Sequence, residues 1–215
     1  MIKDHYETVK QTIQNKAVLC TVTKRRSLEE IMEFYNAGER VFGENRAQDL
    51  VSRAAALPKD IEWQFIGHLQ RNKVKEILPI VSRIQSLDNL ALANVIEKEA
   101  AKAGLTVSVL AEFHLAEEDT NKTGLSADEA FSFVKEVMKL EHIRLEGMMV
   151  MGPHTDDEER IREVFTEAHD LFVSLRKEFG EEAFHVLSMG MSDDYRIAVE
   201  CGSTMVRIGT YLFEE

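Results

Sequence analysis

The feature that most constrains this chain is an alternation. Apolar runs of four to seven residues are separated by longer amphipathic stretches, and the runs number eight: residues 17–23, 40–43, 63–67, 83–86, 107–113, 144–150, 185–188 and 204–209. Several intervening stretches carry explicit helix punctuation. Ser27 opens "SLEEIMEFYNAG" with Glu30 three residues on, a reciprocal capping pair, and Gly38 closes it. Asp88 stands as the N-cap of "DNLALANVIEKEAAKAG", which ends on Gly104. "SADEAFSFVKEVMKL", "TDDEERIREVFTEAHDLFVSLRKEFG" and "SDDYRIAVECG" behave likewise.

Strand then helix, eight times over, is the order of a (β/α)8 TIM barrel, an α/β fold. An open doubly wound sheet is the alternative, but no G-x-G-x-x-G fingerprint follows the first strand. Residues 2–15 read as an extra N-terminal helix able to cover the bottom of the barrel. The 215 residues fall short of the ~250 typical of such barrels, which implies lean loops. With only Pro58, Pro79 and Pro153 and no Gly/Ser/Pro-rich linker, residues 1–215 read as a single domain.

Composition narrows the function. No apolar run approaches the ~18 residues that cross a bilayer, and "MIKDHYETVKQTIQNK" lacks the apolar segment of a signal peptide, so a soluble cytoplasmic protein is expected. A formal charge of −12 argues against nucleic acid as a partner, although "KRR" and "RNKVK" are local basic clusters. Cys20 and Cys201 form no CxxC and read as two buried free thiols. "EEDTNK" (117–122) reads as a solvated loop. Taking Glu117 and Asp119 as metal ligands is the weaker reading, and no metal is expected.

In a barrel the functional face is built from the C-terminal strand ends. These ends deliver Lys24, then Gly43 to Arg46, Gly67-His68, Ser86, His114, Met149 to Met151, Ser188 to Ser192, and Arg207 to Thr210. The set is polar, glycine-rich and cationic, whereas the N-terminal strand ends show no comparable collection. Barrel enzymes often hold phosphate with the loops after strands seven and eight, and "SMGMS" and "RIGT" suit that task. Glycine lets backbone amides approach an anion, and hydroxyls add donors. Ser192-Asp193-Asp194 would open a helix whose positive end could face the anion. Ordinary strand-to-helix turns are the competing account.

Lys24 ends strand one. A lysine at a barrel mouth is costly to desolvate as a cation, and Arg25 and Arg26 would disfavour its charge further if they lie close in space. Both effects favour attack on an aldehyde. A phosphate ester bearing an aldehyde fits both halves of the site, and pyridoxal 5′-phosphate (PLP) is such a molecule. The competing account is a surface lysine at a strand end.

"TK" ending strand one, "FGENRAQ" at 42–48, "WQFIGHLQRNKVK" at 63–75, "LSMGMSDD" at 187–194 and "GSTMVRIGT" at 202–210 together resemble the pyridoxal phosphate homeostasis protein family. The resemblance runs from the N-terminal helix to the last strand. It implies a PLP-binding barrel similar to the N-terminal domain of alanine racemase. Lys24 matches the family's Schiff-base lysine, and Arg207 the arginine facing the pyridine nitrogen. Ser188, Gly209 and Thr210 match positions around the phosphate, and Met189 and Gly190, in the same motif as Ser188, count among the cofactor-binding residues. Asn45 and His68 lie in motifs beside the cofactor. Two segments depart from the family pattern. A first motif usually close to "SKTKP" is "TVTKRRS" here, without the proline. A segment like "VNxxxExxKxG" is "FHLAEEDTNKTG", keeping Lys122 and Gly124 in spacing but placing His114 where asparagine is common.

Three functions stay open. The first is a carrier that holds PLP, keeps its free level low and passes it to PLP-dependent apoenzymes, without robust turnover. The second is a PLP-dependent amino-acid racemase, which needs a second acid–base group. In alanine racemase that group is a tyrosine supplied across a dimer interface from near a second domain. This chain ends at Glu215, and of Tyr6, Tyr35, Tyr195 and Tyr211 only Tyr195 falls near the mouth, where it reads as structural. The third is a phosphate-ester barrel enzyme without PLP. The resemblance favours the carrier, and a monomer is expected because the racemase dimer depends on the second domain.

Overall fold

Eight apolar runs become eight parallel strands that close on themselves in chain order. They are β1 (Val18–Val22), β2 (Val41–Glu44), β3 (Glu62–Phe65), β4 (Val81–Leu87), β5 (Val107–Phe113), β6 (Ile143–Val150), β7 (Val186–Ser188) and β8 (Met205–Ile208). Closure is made by β8 against β1, from Val18 opposite Met205 to Thr21 opposite Ile208. The computed structural model describes residues 2–116 and 123–213. Glu117, Asp119 and Lys122 therefore lie outside the described residues.

The period-two pattern of each strand separates two cores. Cys20, Leu110, Met149, Val186 and Met205 form a small apolar cluster of their own, set in the barrel interior by that alternation. Leu19, Phe42, Phe65, Ile84, Val109, Met148 and Val206 belong to the larger cluster shared with the helices. The helices enter it with one face. In α5 (Leu90–Ala103) that face is Leu92, Ala93, Ile96 and Ala100. In α7 (Glu158–Phe179) it runs from Ile161 through Val164, Phe165, Ala168 and Phe172 to Leu175. Each Leu, Ile, Val or Phe among them contributes about 2 kcal/mol on burial, and each Ala less than half of that.

The remaining helices are α1 (Ile2–Ile13), α2 (Leu28–Asn36), α3 (Ala47–Ala56), α4 (Val74–Ile77), α6 (Ala130–Val137), α8 (Tyr195–Glu200) and α9 (Thr210–Phe213). The capping pair on α2 is present as expected, Ser27 with Glu30. No helix among the described residues is long and apolar enough to cross a membrane.

Four expectations need correction. The N-cap of α5 is Asn89, not Asp88: the Asn89 side chain accepts the Leu92 amide at 2.8 Å, while the Asp88 carboxylate lies 3.6 Å from His68. Helix α1 does not cap the barrel bottom. His5 stacks on Tyr211 with ring centroids 4.5 Å apart, and Tyr6 packs edge-on to Phe34 of α2. This places α1 in the outer ring, where α9 is only four residues long and leaves room. Cys20 is buried, but Cys201 is only half-buried.

The fourth correction concerns the N-terminal strand ends, which do carry a polar collection. Arg83 of β4 donates to Glu146 of β6 at 2.8 and 2.6 Å. Arg144 Nε and the Ser108 hydroxyl reach the same carboxylate at 2.9 and 2.8 Å. These residues come from three consecutive strands, β4, β5 and β6, and the pairing and curvature of the sheet gather them.

Candidate functional site

Lys24 occupies the turn after β1, and that turn is clamped from both sides. Before it, the Thr23 amide donates to the Gly43 carbonyl at 3.1 Å, and its hydroxyl donates to the buried Glu44 carboxylate at the end of β2. After it, Arg53 of α3 pairs with Glu44 and donates through Nη2 to the Arg26 carbonyl at 2.8 Å. One buried carboxylate and one arginine thus tie the lysine's turn to the neighbouring strand and helix. Lys24 is itself exposed and lines a cavity of about 170 Å³ with Arg25, Asn45, Arg46 and Asp49.

The residue after Lys24 takes a left-handed conformation, Arg25 at φ 63°. Proline, locked near φ −65°, cannot adopt it, so this turn follows a path closed to the usual "TKP" segment. Arg26 does not crowd the lysine either. Its guanidinium lies 3.4 Å from Glu30 and 4.5 Å from the centre of the Phe213 ring.

Asn45 and His68 are brought together by a glycine. A Cβ on Gly67 would meet the Asn45 carbonyl oxygen at 2.3 Å, so the end of β3 approaches β2 closely only without a side chain there. Asn45 and His68 are both exposed and line one cavity of about 370 Å³.

On the other side of the closure, Arg207 is buried on β8. Its Nη1 donates to the Ser188 carbonyl and hydroxyl, each at 2.8 Å. Its Nη2 donates to the Val150 carbonyl at 3.0 Å, and its Nε makes no hydrogen bond to a described residue. Burial pulls its pKa below the ordinary value, yet a guanidinium hydrogen-bonded in this way stays protonated. Because Arg207 can only donate, the Ser188 hydroxyl accepts from it and donates to Gln85 Oε1 at 2.7 Å. Gln85 Nε2 in turn donates to Gln64 Oε1 at 2.5 Å. Ser188 thus sits at its predicted strand end with its hydroxyl committed inside the barrel, to Arg207 and Gln85.

The loops after β7 and β8 adjoin. The Tyr211 amide donates to the Ser192 hydroxyl at 3.2 Å, and the Arg207 amide to the Gly190 carbonyl at 2.9 Å. Gly190 has φ 96°, and a Cβ there would lie 2.6 Å from the Ala198 methyl, so this turn requires glycine. Met189 is buried in the core and shapes the loop from behind. Gly209 is buried against Val22, where a Cβ would lie 3.1 Å from the Val22 carbonyl oxygen, two residues from Lys24. Thr210 is exposed at the start of α9. Helix α8 does begin beyond Ser192-Asp193-Asp194, but the Asp194 carboxylate stands at its start and accepts the Met191 amide at 2.5 Å. Tyr195 is buried, with its ring centroid 6.1 Å from that of Tyr211.

Glu44, collected from the sequence only as part of the β2 end, clamps the lysine's turn. Four further residues that matter here were not singled out from the sequence: Arg53, which pairs with Glu44, Gln64 and Gln85, which support Arg207 through Ser188, and Glu112, buried near the end of β5, with the Thr123 hydroxyl at 3.2 Å. Burial, reinforced by Asp88, raises its carboxyl to about 7. A legible signal existed, since "WQF", "RIQS" and "LAEF" each place a polar residue inside an otherwise apolar strand. The buried His114 Nε2 and the Ser86 hydroxyl have no hydrogen-bond partner among the described residues. Among the described residues no group of three or more His, Cys, Asp or Glu is placed to hold a metal ion.

Comparison with known proteins identifies the family and the fold. The family model described as alanine racemase, N-terminal domain, matches residues 1–215. The pyridoxal phosphate homeostasis protein of Aquifex aeolicus is 39% identical over 203 residues, covering 94% of this chain and 88% of that protein. Among solved structures, PipY of Synechococcus elongatus without PLP has a TM-score of 0.94 at 29% identity, over 100% of both chains. PipY with PLP bound has a TM-score of 0.90 at 27% identity, again over 100% of both chains. By its sequence relatives and its barrel alike, the chain belongs to the alanine racemase N-terminal domain family, among the pyridoxal phosphate homeostasis proteins.

Proposed function

We propose that this protein binds PLP and serves in its homeostasis, holding the cofactor through Lys24 and delivering it to apoenzymes. The observation that carries the reading is the junction of β1, β8 and β7. There Gly209 packs on Val22, two residues before the exposed Lys24, the Arg207 amide meets the Gly190 carbonyl, and the buried Arg207 side chain is pinned to Ser188. When bound, PLP supplies an aldehyde that condenses with an amine and a pyridine ring that draws electrons once its nitrogen is protonated.

The residues present fit such a group. Lys24 offers the amine from a clamped turn. The Ser192 and Thr210 segments, joined through Tyr211, would hold the phosphate, with Met189 and Gly190 setting the turn. Asn45 and His68 would flank the ring from the β2–β3 side. Arg207 Nε would face the ring nitrogen, and Ser188 would hold that guanidinium in place.

A donor-only arginine cannot take the ring's proton and disfavours its protonated form, which mutes electron withdrawal. The mouth is also wet, since Lys24, Asn45, His68 and Thr210 are all exposed. Both properties favour holding and release over carbanion chemistry. The tyrosines are engaged in packing or hydrogen bonds: Tyr6 with Phe34, Tyr35 with Asp60, Tyr195 within the core and Tyr211 with His5. None stands free as the second acid–base group of a racemase. The two free thiols suit a reducing cytoplasm, and no residue of the site calls for a second subunit, so we read the protein as a cytoplasmic monomer of one domain.

The test is the visible absorption of wild type and Lys24→Ala, each mixed with PLP and dialysed. A yellow band in wild type that is missing from the variant is expected. No band in either, or equal bands in both, overturns the role of Lys24. Sustained exchange of an amino acid's α-proton by the loaded wild type would move the reading to a racemase.

A further inference from the structure

The arginine side chains of this protein are nearly all engaged. Arg40 holds Asp60, Arg53 holds Glu44, and Arg83 and Arg144 share Glu146. Arg25, Arg46 and Arg71 differ. Each is exposed, and none of the three side chains has a carboxylate, ring or hydrogen-bond partner among the described residues. They follow β1, β2 and β3 in turn, so barrel closure sets them along one arc of the mouth.

Adjoining grooves connect them. Arg25 and Arg46 line the cavity that contains Lys24. Arg46 also lines the next, of about 370 Å³, with His68, Gln70 and Lys73. Arg71 lines a third, of about 670 Å³, which shares His68, Leu69 and Gln70 with the second. The acids nearby are few. Asp49 lines the first groove, Glu76 is paired with Lys73, and Asp88 faces His68. The opposite arc, after β6 and β7, has the reverse sign, with Asp156, Glu158, Asp193 and Asp194 around one cavity. A chain of formal charge −12 thus keeps a run of unpaired cations next to its reactive lysine.

We propose that this arc is a docking surface for an acidic polypeptide segment of a partner protein, seated beside Lys24. The proposal deepens the PLP reading and rests on it for the meaning of the adjacent lysine. Charge complementarity selects the occupant, because unpaired guanidinium groups pair in bidentate fashion with carboxylates. The amides of Asn45, Gln48, Gln70, Asn72 and Asn89 line the same grooves and suit the polar groups of a peptide backbone. Nucleic acid fits less well. The rings lining the grooves are Phe65, which is buried, and the lone imidazole of His68, so the described residues present no series of stacking faces for successive bases, and the chain's overall charge repels a long polyanion. Exposed ion pairs are individually weak and salt-sensitive, so docking here is fast and transient, as delivery of a cofactor requires.

The experiment uses the full chain loaded with PLP and three fluorescent probes: a short Glu-rich peptide, its Lys-for-Glu counterpart and a single-stranded RNA of equal charge. The Glu-rich peptide is expected to bind wild type with an affinity that falls steeply with salt. In Arg25→Glu/Arg46→Glu/Arg71→Glu its affinity drops about tenfold or more, and the Lys-rich peptide binds instead. Arg71→Glu alone, on an exposed turn away from the lysine, weakens the Glu-rich peptide by a smaller factor and leaves the yellow band unchanged. No binding of the Glu-rich peptide, equal binding by the triple variant, or tighter binding of RNA overturns the proposal. The absorption band of the same samples separates the two readings. Peptide binding without a band removes the cofactor and keeps the surface, and a band without peptide binding does the reverse.

Discussion

Glu112 and Glu146 are both buried carboxylates of adjacent strands, β5 and β6, near opposite ends of one barrel, and their surroundings drive them in opposite directions. Burial alone would raise the Glu146 carboxyl, but the paired Arg83, the Ser108 hydroxyl and Arg144 overcome it and hold the group below the usual carboxylate range. Glu112 has the Thr123 hydroxyl and the more distant Arg207 to set against burial and the Asp88 charge, and its carboxyl is pushed up to about 7. The N-terminal end of the barrel is a saturated ionic plug. The C-terminal end keeps polar groups that the fold leaves incompletely paired: Glu112, the Arg207 Nε, the His114 Nε2 and the arginines of the cationic arc. An end whose charges are neutralised serves stability, and an end whose charges are not has affinity left for a ligand.

The largest test of this contrast is Glu146→Gln. It leaves Arg83 and Arg144 facing each other with no counter-charge, and it should cost about 3–5 kcal/mol in urea unfolding while the yellow band of the surviving folded protein persists. A loss under about 1 kcal/mol would mean that the plug is solvated and not structural.

Glu112→Gln should act with the opposite sign. The folded-state pKa of about 7 exceeds the ordinary 4.5, so the unfolded chain gives up this proton at lower pH than the folded one. Below about pH 4.5 the group has no effect on stability. Stability is lost as pH rises from there through 7, and above 7 the full cost of an ionised buried carboxylate is present. The variant should therefore match wild type at pH 4.5 and exceed it at pH 8 by up to about 3 kcal/mol. A constant difference across that range would show that Glu112 does not titrate there.

The smallest effect concerns the chain of hydrogen bonds behind Arg207. Ser188→Ala and Gln85→Met should each cost about 1–2 kcal/mol, and the double variant less than their sum by about 1 kcal/mol. Both should also weaken PLP binding, because Arg207 loses a partner that fixes its orientation. Strict additivity would mean that the two residues are not linked.

Much of this was legible in the residues. The eight strands follow from short apolar runs set between longer amphipathic stretches, and the helices after β1, β4, β5, β6 and β7 announced themselves through caps and spacing. The helices after β2, β3 and β8 did not. Helix α3 starts at Ala47, and Arg46 before it makes no side-chain cap, while α4 and α9 are four residues each. Neighbouring candidates for one task were also hard to separate, since Asp88 and Asn89 are both good caps and their partners decide between them.

The sequence by itself determined the barrel, the positions of Lys24, Ser188, Arg207, Gly209 and Thr210 at its strand ends, and the family, because periodicity, strand ends and motifs are local properties of a chain. What only the tertiary structure decided are the meetings of distant residues. Thr23, Glu44, Arg53 and Arg26 close on the lysine's turn. Arg83 reaches Glu146, Ser188 joins Arg207 to Gln85, and three arginines are left without partners among the described residues. The physical reason is that an ion pair or hydrogen bond depends on angstrom distances between side chains dozens of residues apart, and those distances exist only once the strands have paired into the barrel.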